Sequence, residues 1–267
     1  MLAINLLCVL LPALASAATL SPAIALENRF KQIHDEHHRN KTAAALSAPV
    51  DAPAVAKAPA VAATDEMTAF GDILKPEPSN PPNSNVIMTR NELLEGKCAP
   101  IIVIFARGTT EPGNVGDDVG PMFFDALMKL RPGKVMIQGV NNYKADIWGY
   151  LGGGSEEGAQ DMANSVDRAA KQCPQSKIVM SGFSQGAQVT HKAAYKLKPD
   201  LHKFVGAIVL FGDPFKGDAF PGTLNNNVKT FCHDGDLICI GLPIPTPAHS
   251  NYEDDAPEAA AYVAARM

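Results

Sequence analysis

From residue 86 onward, short apolar runs alternate with longer stretches whose apolar positions recur at helical spacing. The runs at 100–106, 134–140, 177–182, 204–211 and 228–231 read as five strands. Between the second and third, Ala159, Met162, Ala163, Val166, Ala169, Ala170 and Cys173 fall at i, i+3, i+4, i+7, i+10, i+11 and i+14, one face of an amphipathic helix that Ser155 can cap. Near-continuous apolar strands separated by helices imply a parallel sheet covered on both faces. The expected architecture is a three-layer α/β/α sandwich around a mostly parallel five-stranded sheet.

The chain before residue 86 has a different texture. Residues 1–17 form one apolar run ending in Ala15-Ser16-Ala17, the small-x-small pattern of a cleaved secretion signal. Residues 25–46 have helical composition and cluster His34, His37 and His38, read as a solvated polar face. Asn40-Lys41-Thr42 is a glycosylation sequon. Residues 48–64 are almost wholly Ala, Pro and Val, and Pro recurs through 75–83; such stretches build no core and act as extended linker. The expected division is a signal peptide at 1–17, an extension, linker or propeptide at 18–85 and a catalytic domain at 86–267.

Composition narrows the function. A net charge of -5 offers no basic footprint for nucleic acid, and 46% hydrophobic residues are too many for a disordered chain. No later stretch reaches the apolar length of a membrane span, so a secreted, extracellular monomer is expected, without integral membrane association. Once Cys8 leaves with the signal, Cys98, Cys173, Cys232 and Cys239 remain, an even set that favours two disulfides in an oxidising compartment. The short interval from Cys232 to Cys239 suits a local loop and leaves Cys98 with Cys173 as a long-range bridge. No C-x-x-C pair is present, so no metal and no cofactor is expected.

The sharpest local signal is Gly182-Phe183-Ser184-Gln185-Gly186, lying between a strand and a helix. There, a nucleophile elbow places Ser on a strained turn with glycine two residues to either side, and the helix N-terminus favours an oxyanion. The N–H of Gln185 is one candidate donor, and Thr109, in the loop after the first strand, is the other. Among bases, His191 lies seven residues along the same helix and cannot reach Ser184, and His202 precedes a strand. His249 follows an acid after the last strand, in the chain order this architecture requires. Spacing leaves the acid open between Asp213, at the end of the fourth strand, and Asp236, inside the Cys232–Cys239 loop.

The segments TRNELLEGKC, FARGTTEPGN, GFSQGA, VLFGDP, CHDGDLIC and PAHSNY together resemble the successive signatures of the fungal cutinases, across residues 88–267. The resemblance implies a serine esterase with Ser184 as nucleophile, Asp236 as acid and His249 as base; the interval from Ser184 to Asp236 is used up by one helix, two strands and short loops, so a hydrolase lidless in that interval is expected. The resemblance also implies an oxyanion hole of Thr109 and Gln185, and disulfides Cys98–Cys173 and Cys232–Cys239. Thr109 stands where Ser is commoner in that family, and Phe183 where Tyr is commoner.

The expected substrate is cutin or a related aliphatic ester surface, flanked by Leu242, Pro243 and Ile244. The competing readings are an acetyl-xylan esterase of the same fold and a non-catalytic secreted surface or elicitor protein.

Overall fold

The computed structural model describes residues 21–47 and 86–267; the signal expected at 1–17 and the linkers at 48–64 and 75–83 lie outside the described residues. The apolar runs form β1 (Ile101–Ala106), β2 (Val135–Gly139), β3 (Lys177–Phe183), β4 (Val205–Phe211) and β5 (Val228–Phe231). Around them lie α1 (Pro22–Ser47), α2 (Val119–Leu130), α3 (Ile147–Leu151), α4 (Glu156–Gln172), α5 (Gln185–Lys196) and α6 (Ala256–Ala264). Among the described residues no helix is long and apolar enough to cross a membrane.

The α4 helix forms where its apolar stripe predicts. Ser155 Oγ accepts the Gly158 N–H at 3.1 Å, and Glu156 and Glu157 in the first turn and Lys171 in the last complement the dipole. All five strands run parallel in the order β2-β1-β3-β4-β5. Because strand side chains alternate, Ile102, Ile104, Met180 and Leu210 face α4 and α5, whereas Val103, Phe105, Val209 and Phe211 face α2 and α6. The result is two cores divided by the sheet.

The strand order also decides where chemistry can sit. The chain leaves β1 toward one edge of the sheet and β3 toward the other, which opens a crevice beyond the carboxyl ends of these neighbours. The loop carrying Thr109 follows β1, and Ser184 follows β3. The segment before β1 holds that first loop in place: the Arg90 N–H donates to Asn114 Oδ1 at 2.9 Å, while Asn114 Nδ2 reaches the Arg90 carbonyl at 3.1 Å and Asn141 Oδ1 at 2.9 Å. Gly113 approaches the Met88 carbonyl so closely that a Cβ would lie 1.9 Å from its oxygen.

Two disulfides close the fold. Cys98–Cys173 ties the entry to β1 to the end of α4, and Cys232–Cys239 closes the loop after β5. The first spans 75 residues and the second 7. Loop-closure entropy then gives the long bridge about 4 kcal/mol of stability and the short one about 2 kcal/mol. Replacing Cys98 and Cys173 by Ser is expected to lower Tm more than replacing Cys232 and Cys239. Thermal melts of the two double variants under oxidising conditions check the ranking.

Candidate active site

Ser184 occupies the turn from β3 into α5 with φ 56° and ψ −119°, a left-handed conformation that a residue with a Cβ adopts only under tertiary constraint. Its N–H donates to the Phe211 carbonyl at 2.9 Å, which fastens the turn to β4. The flanking glycines are steric requirements. A Cβ on Gly182 would lie 2.2 Å from the Gly186 carbonyl oxygen, and one on Gly186 would lie 1.9 Å from that of Ala106.

His249 reaches this turn from a loop beyond β5. Its Nε2 lies 2.8 Å from Ser184 Oγ, and its Nδ1 lies 2.8 Å from Asp236 Oδ2. The imidazole stacks on Phe183 with ring centroids 5.1 Å apart. Gly212 backs it: a Cβ there would stand 2.7 Å from His249 Cε1. All three side chains are almost wholly buried.

Asp213, the other acid that spacing leaves open, lies elsewhere. Its Oδ2 pairs with His191 Nε2 at 3.0 Å and its Oδ1 accepts the Phe215 N–H at 2.9 Å, while the His191 ring stacks on Phe220. Among the described residues there are therefore two separate buried His–Asp pairs, of which one touches Ser184.

Three donors converge on Asp236. Besides His249, the Tyr252 hydroxyl donates to Oδ2 at 2.5 Å and the Ile238 N–H to Oδ1 at 3.0 Å. Burial opposes the charged carboxylate, but these hydrogen bonds and the His249 partner outweigh it and hold the carboxyl below the usual range. Burial, with Asp236 beside it, pushes the Tyr252 phenol well above the ordinary range, so it stays a donor.

Tyr252 is in turn clamped. His233 stacks on it with centroids 4.2 Å apart, donates its N–H to the phenolic oxygen at 3.1 Å and pairs through Nε2 with Asp255 at 2.7 Å. Burial works against the His233 cation, but Asp255 raises its pKa overall. Spacing gives no role to Tyr252, which closes the segment PAHSNY; it stands three residues after His249, and its hydroxyl returns to the same carboxylate.

Thr109 and Gln185 are both buried, and Gln185 Nε2 donates to Thr109 Oγ1 at 3.0 Å and to the Asp146 carbonyl at 2.8 Å. A hydroxyl that accepts in this way retains its own proton to donate. Hydrogen bonds tie down the loop around Thr109: Arg107 Nε donates to the Glu111 carbonyl at 2.7 Å, the Tyr143 hydroxyl to the Arg107 carbonyl at 2.9 Å and the Thr110 N–H to the Ala145 carbonyl at 2.8 Å. Leu242, Pro243 and Ile244 are exposed on the strand of chain that follows the Cys232–Cys239 loop. Trp148 and Leu151 are exposed on α3. Among the described residues no cluster of His, Cys, Asp and Glu is suited to hold a metal ion.

A family model described as cutinase matches residues 97–267. The cutinase CUT1 of Coprinopsis cinerea is 46% identical over 170 residues, covering 64% of this chain and 85% of its own. A cutinase of Blumeria hordei is 45% identical over 177 residues, covering 65% and 74%. Among solved structures, a Trichoderma reesei cutinase in complex with a C11Y4 phosphonate inhibitor superimposes with a TM-score of 0.62 at 38% identity, covering 67% of this chain and 79% of that one. The catalytic core domain of an acetyl xylan esterase from Trichoderma reesei shares the fold, with a TM-score of 0.52 at 19% identity over 64% of this chain and all of that one.

The two clamps around Tyr252 respond to pH with opposite sign. Asp236 has a depressed folded pKa, so its stabilisation is complete above the unfolded value of about 3.9 and fades as pH falls through the folded one. His233 has a raised folded pKa, so its stabilisation is complete below about 6.5 and fades as pH rises through the folded one. Tyr252→Phe removes one donor to a buried charge and is expected to cost about 1.5–3 kcal/mol. It also moves the acidic fall-off of Tm to higher pH. Asp255→Asn is expected to flatten the alkaline limb alone. Melting curves of both variants between acid and mildly alkaline pH test the assignment, which an unchanged acid limb in Tyr252→Phe would sink.

Proposed function

The chain belongs to the cutinase family of carboxylic-ester hydrolases and is a serine esterase of cutinase type, and from that premise we propose that it is a secreted enzyme hydrolysing cutin and related aliphatic polyesters through Ser184, His249 and Asp236. The observation that carries the reading is the line of contacts from Ser184 Oγ to His249 Nε2 to Asp236, each step 2.8 Å.

His249 Nε2 takes the Ser184 proton as Oγ attacks the ester carbonyl, giving a tetrahedral adduct whose oxyanion is held by the Thr109 hydroxyl and the Gln185 N–H. Asp236 accepts a hydrogen bond from Nδ1–H, which fixes the tautomer, and its charge stabilises the imidazolium that forms. Collapse of the adduct expels the alcohol, which takes the proton from Nε2 and leaves an acyl group on Ser184. Water, deprotonated by the same nitrogen, then releases the acid and restores the hydroxyl.

The apolar rim supports an aliphatic substrate. Leu242 and Ile244 are 44% and 51% exposed, and Trp148 and Leu151 on α3 are similarly open, a surface that an acetyl group does not require. Two disulfides and the leader-like residues 1–17 support an extracellular location.

Ser184→Ala is expected to abolish ester hydrolysis while leaving Tm nearly unchanged. Asp236→Asn is expected to lose about 10³–10⁴ in kcat, and Asp213→Asn far less. Initial rates on a soluble ester rank them, and the reverse order would transfer the acid to Asp213. Rates over a series of acyl chain lengths and on a cutin film separate an aliphatic polyesterase from an acetyl esterase, whose activity would peak at the acetyl ester.

A further inference from the structure

The face from which an ester must approach Ser184 carries a segment of the same chain. Within α1, Ala23, Leu26, Phe30 and Ile33 fall at i, i+3, i+7 and i+10 and form its inward stripe; Ala23, Phe30 and Ile33 are buried and Leu26 is partly so. Ala23, Leu26 and Phe30 pack with Ile147 and Tyr150 of α3 and with Ile238, two residues beyond Asp236. The Phe30 ring meets the Tyr150 ring edge-on at 5.3 Å and the His249 ring edge-on at 6.3 Å. The outward side is polar, with Lys31 paired to Glu27 at 2.8 Å on the exposed surface. Ser184 beneath is only 1% exposed.

We propose that the inward face of residues 22–33 is an intramolecular occupant of the substrate surface, held in the place an aliphatic ester interface takes and released when such an interface binds. The inference rests on the esterase reading above and adds the regulation of that site. A few apolar side chains hold the helix where a substrate chain has to lie between α3 and the loop after Asp236, so helix and substrate exclude each other. Few buried apolar side chains hold the helix, which places it at the low-stability end of the molecule, its docked state in exchange with an open one. A hydrocarbon-like surface shifts that balance twice: it covers the rim left by the helix, and it gives the freed apolar stripe a place to lie. Monomeric esters offer neither.

The test uses the full chain from residue 18, wild type and with Phe30→Asp, which sets a charge against apolar partners, or with the milder Phe30→Ala. Glu27→Gln, on the outward side, is the control. Each protein is assayed on a water-soluble short-chain ester, with and without neutral detergent micelles, and for its rate of covalent labelling by a soluble phosphonate; thermal melts verify the fold. Both Phe30 variants are expected to raise kcat/KM on the soluble ester and the labelling rate, by about tenfold for Phe30→Asp, equivalent to roughly 1.4 kcal/mol of lost docking energy. Micelles are expected to activate the wild type and the control but add little to Phe30→Asp. Equal rates in wild type and both Phe30 variants, with labelling intact, would overturn the occupant. No labelling in any protein would instead defeat the esterase site on which it rests.

Discussion

The candidate site depends on how closely the turn at Ser184 is pressed against its neighbours. Gly186 sits so near the Ala106 carbonyl, and Gly182 so near that of Gly186, that neither position admits a side chain. This contact brings the carboxyl ends of β1 and β3 together and places the Thr109 loop beside the first turn of α5. The left-handed Ser184 backbone costs about 1–3 kcal/mol. The parallel pairings on both sides of β3, and the bond from its N–H to Phe211, offset that cost. The rest of the site is added around this point: Gly212 leaves room for His249, and a stapled loop presents Asp236.

The strands and α4 were legible in the sequence because their signals are local. Five apolar runs and one stripe at helical spacing encode elements whose burial follows from their own periodicity. Ser184 was legible for the same reason, since the glycines that its turn requires lie within two residues of it. Spacing left the acid open, because Asp213 and Asp236 each follow a strand, and the family resemblance alone pointed to Asp236; in space the pairing of Asp213 with His191 on α5 sets the two apart. Tyr252 was equally silent: an aromatic residue near the end of a domain reads as core, and it is core, with its hydroxyl turned to Asp236. The docking of α1 was hidden by a stripe of only four apolar positions in an otherwise polar and alanine-rich helix.

Around Asp236 stability and chemistry share the same atoms. The carboxylate carries the hydrogen bonds that hold the loop after β5, and the loop in turn holds the carboxylate against His249. A disulfide sulfur of Cys239 lies 3.4 Å from Oδ2, so the staple is in contact with the group it encloses. A change in His233 or Asp255 therefore reaches the imidazole through Tyr252, whose ring meets that of His249 edge-on at 6.1 Å.

The division of the interior by the sheet has an evolutionary consequence. Met162 and Val166 on α4 belong to one core, and Phe123 and Leu127 on α2 to the other, with no contact shared between them. Effects of substitutions on opposite sides are then close to additive. The α2 side includes Tyr252 and inherits the constraints of Asp236, whereas the α4 side meets the site only through Tyr143 and the first turn of α5. Positions at the far end of α4, such as Val166 and Ala169, can then collect stabilising changes as a reserve against which costly innovations near the active site are tolerated.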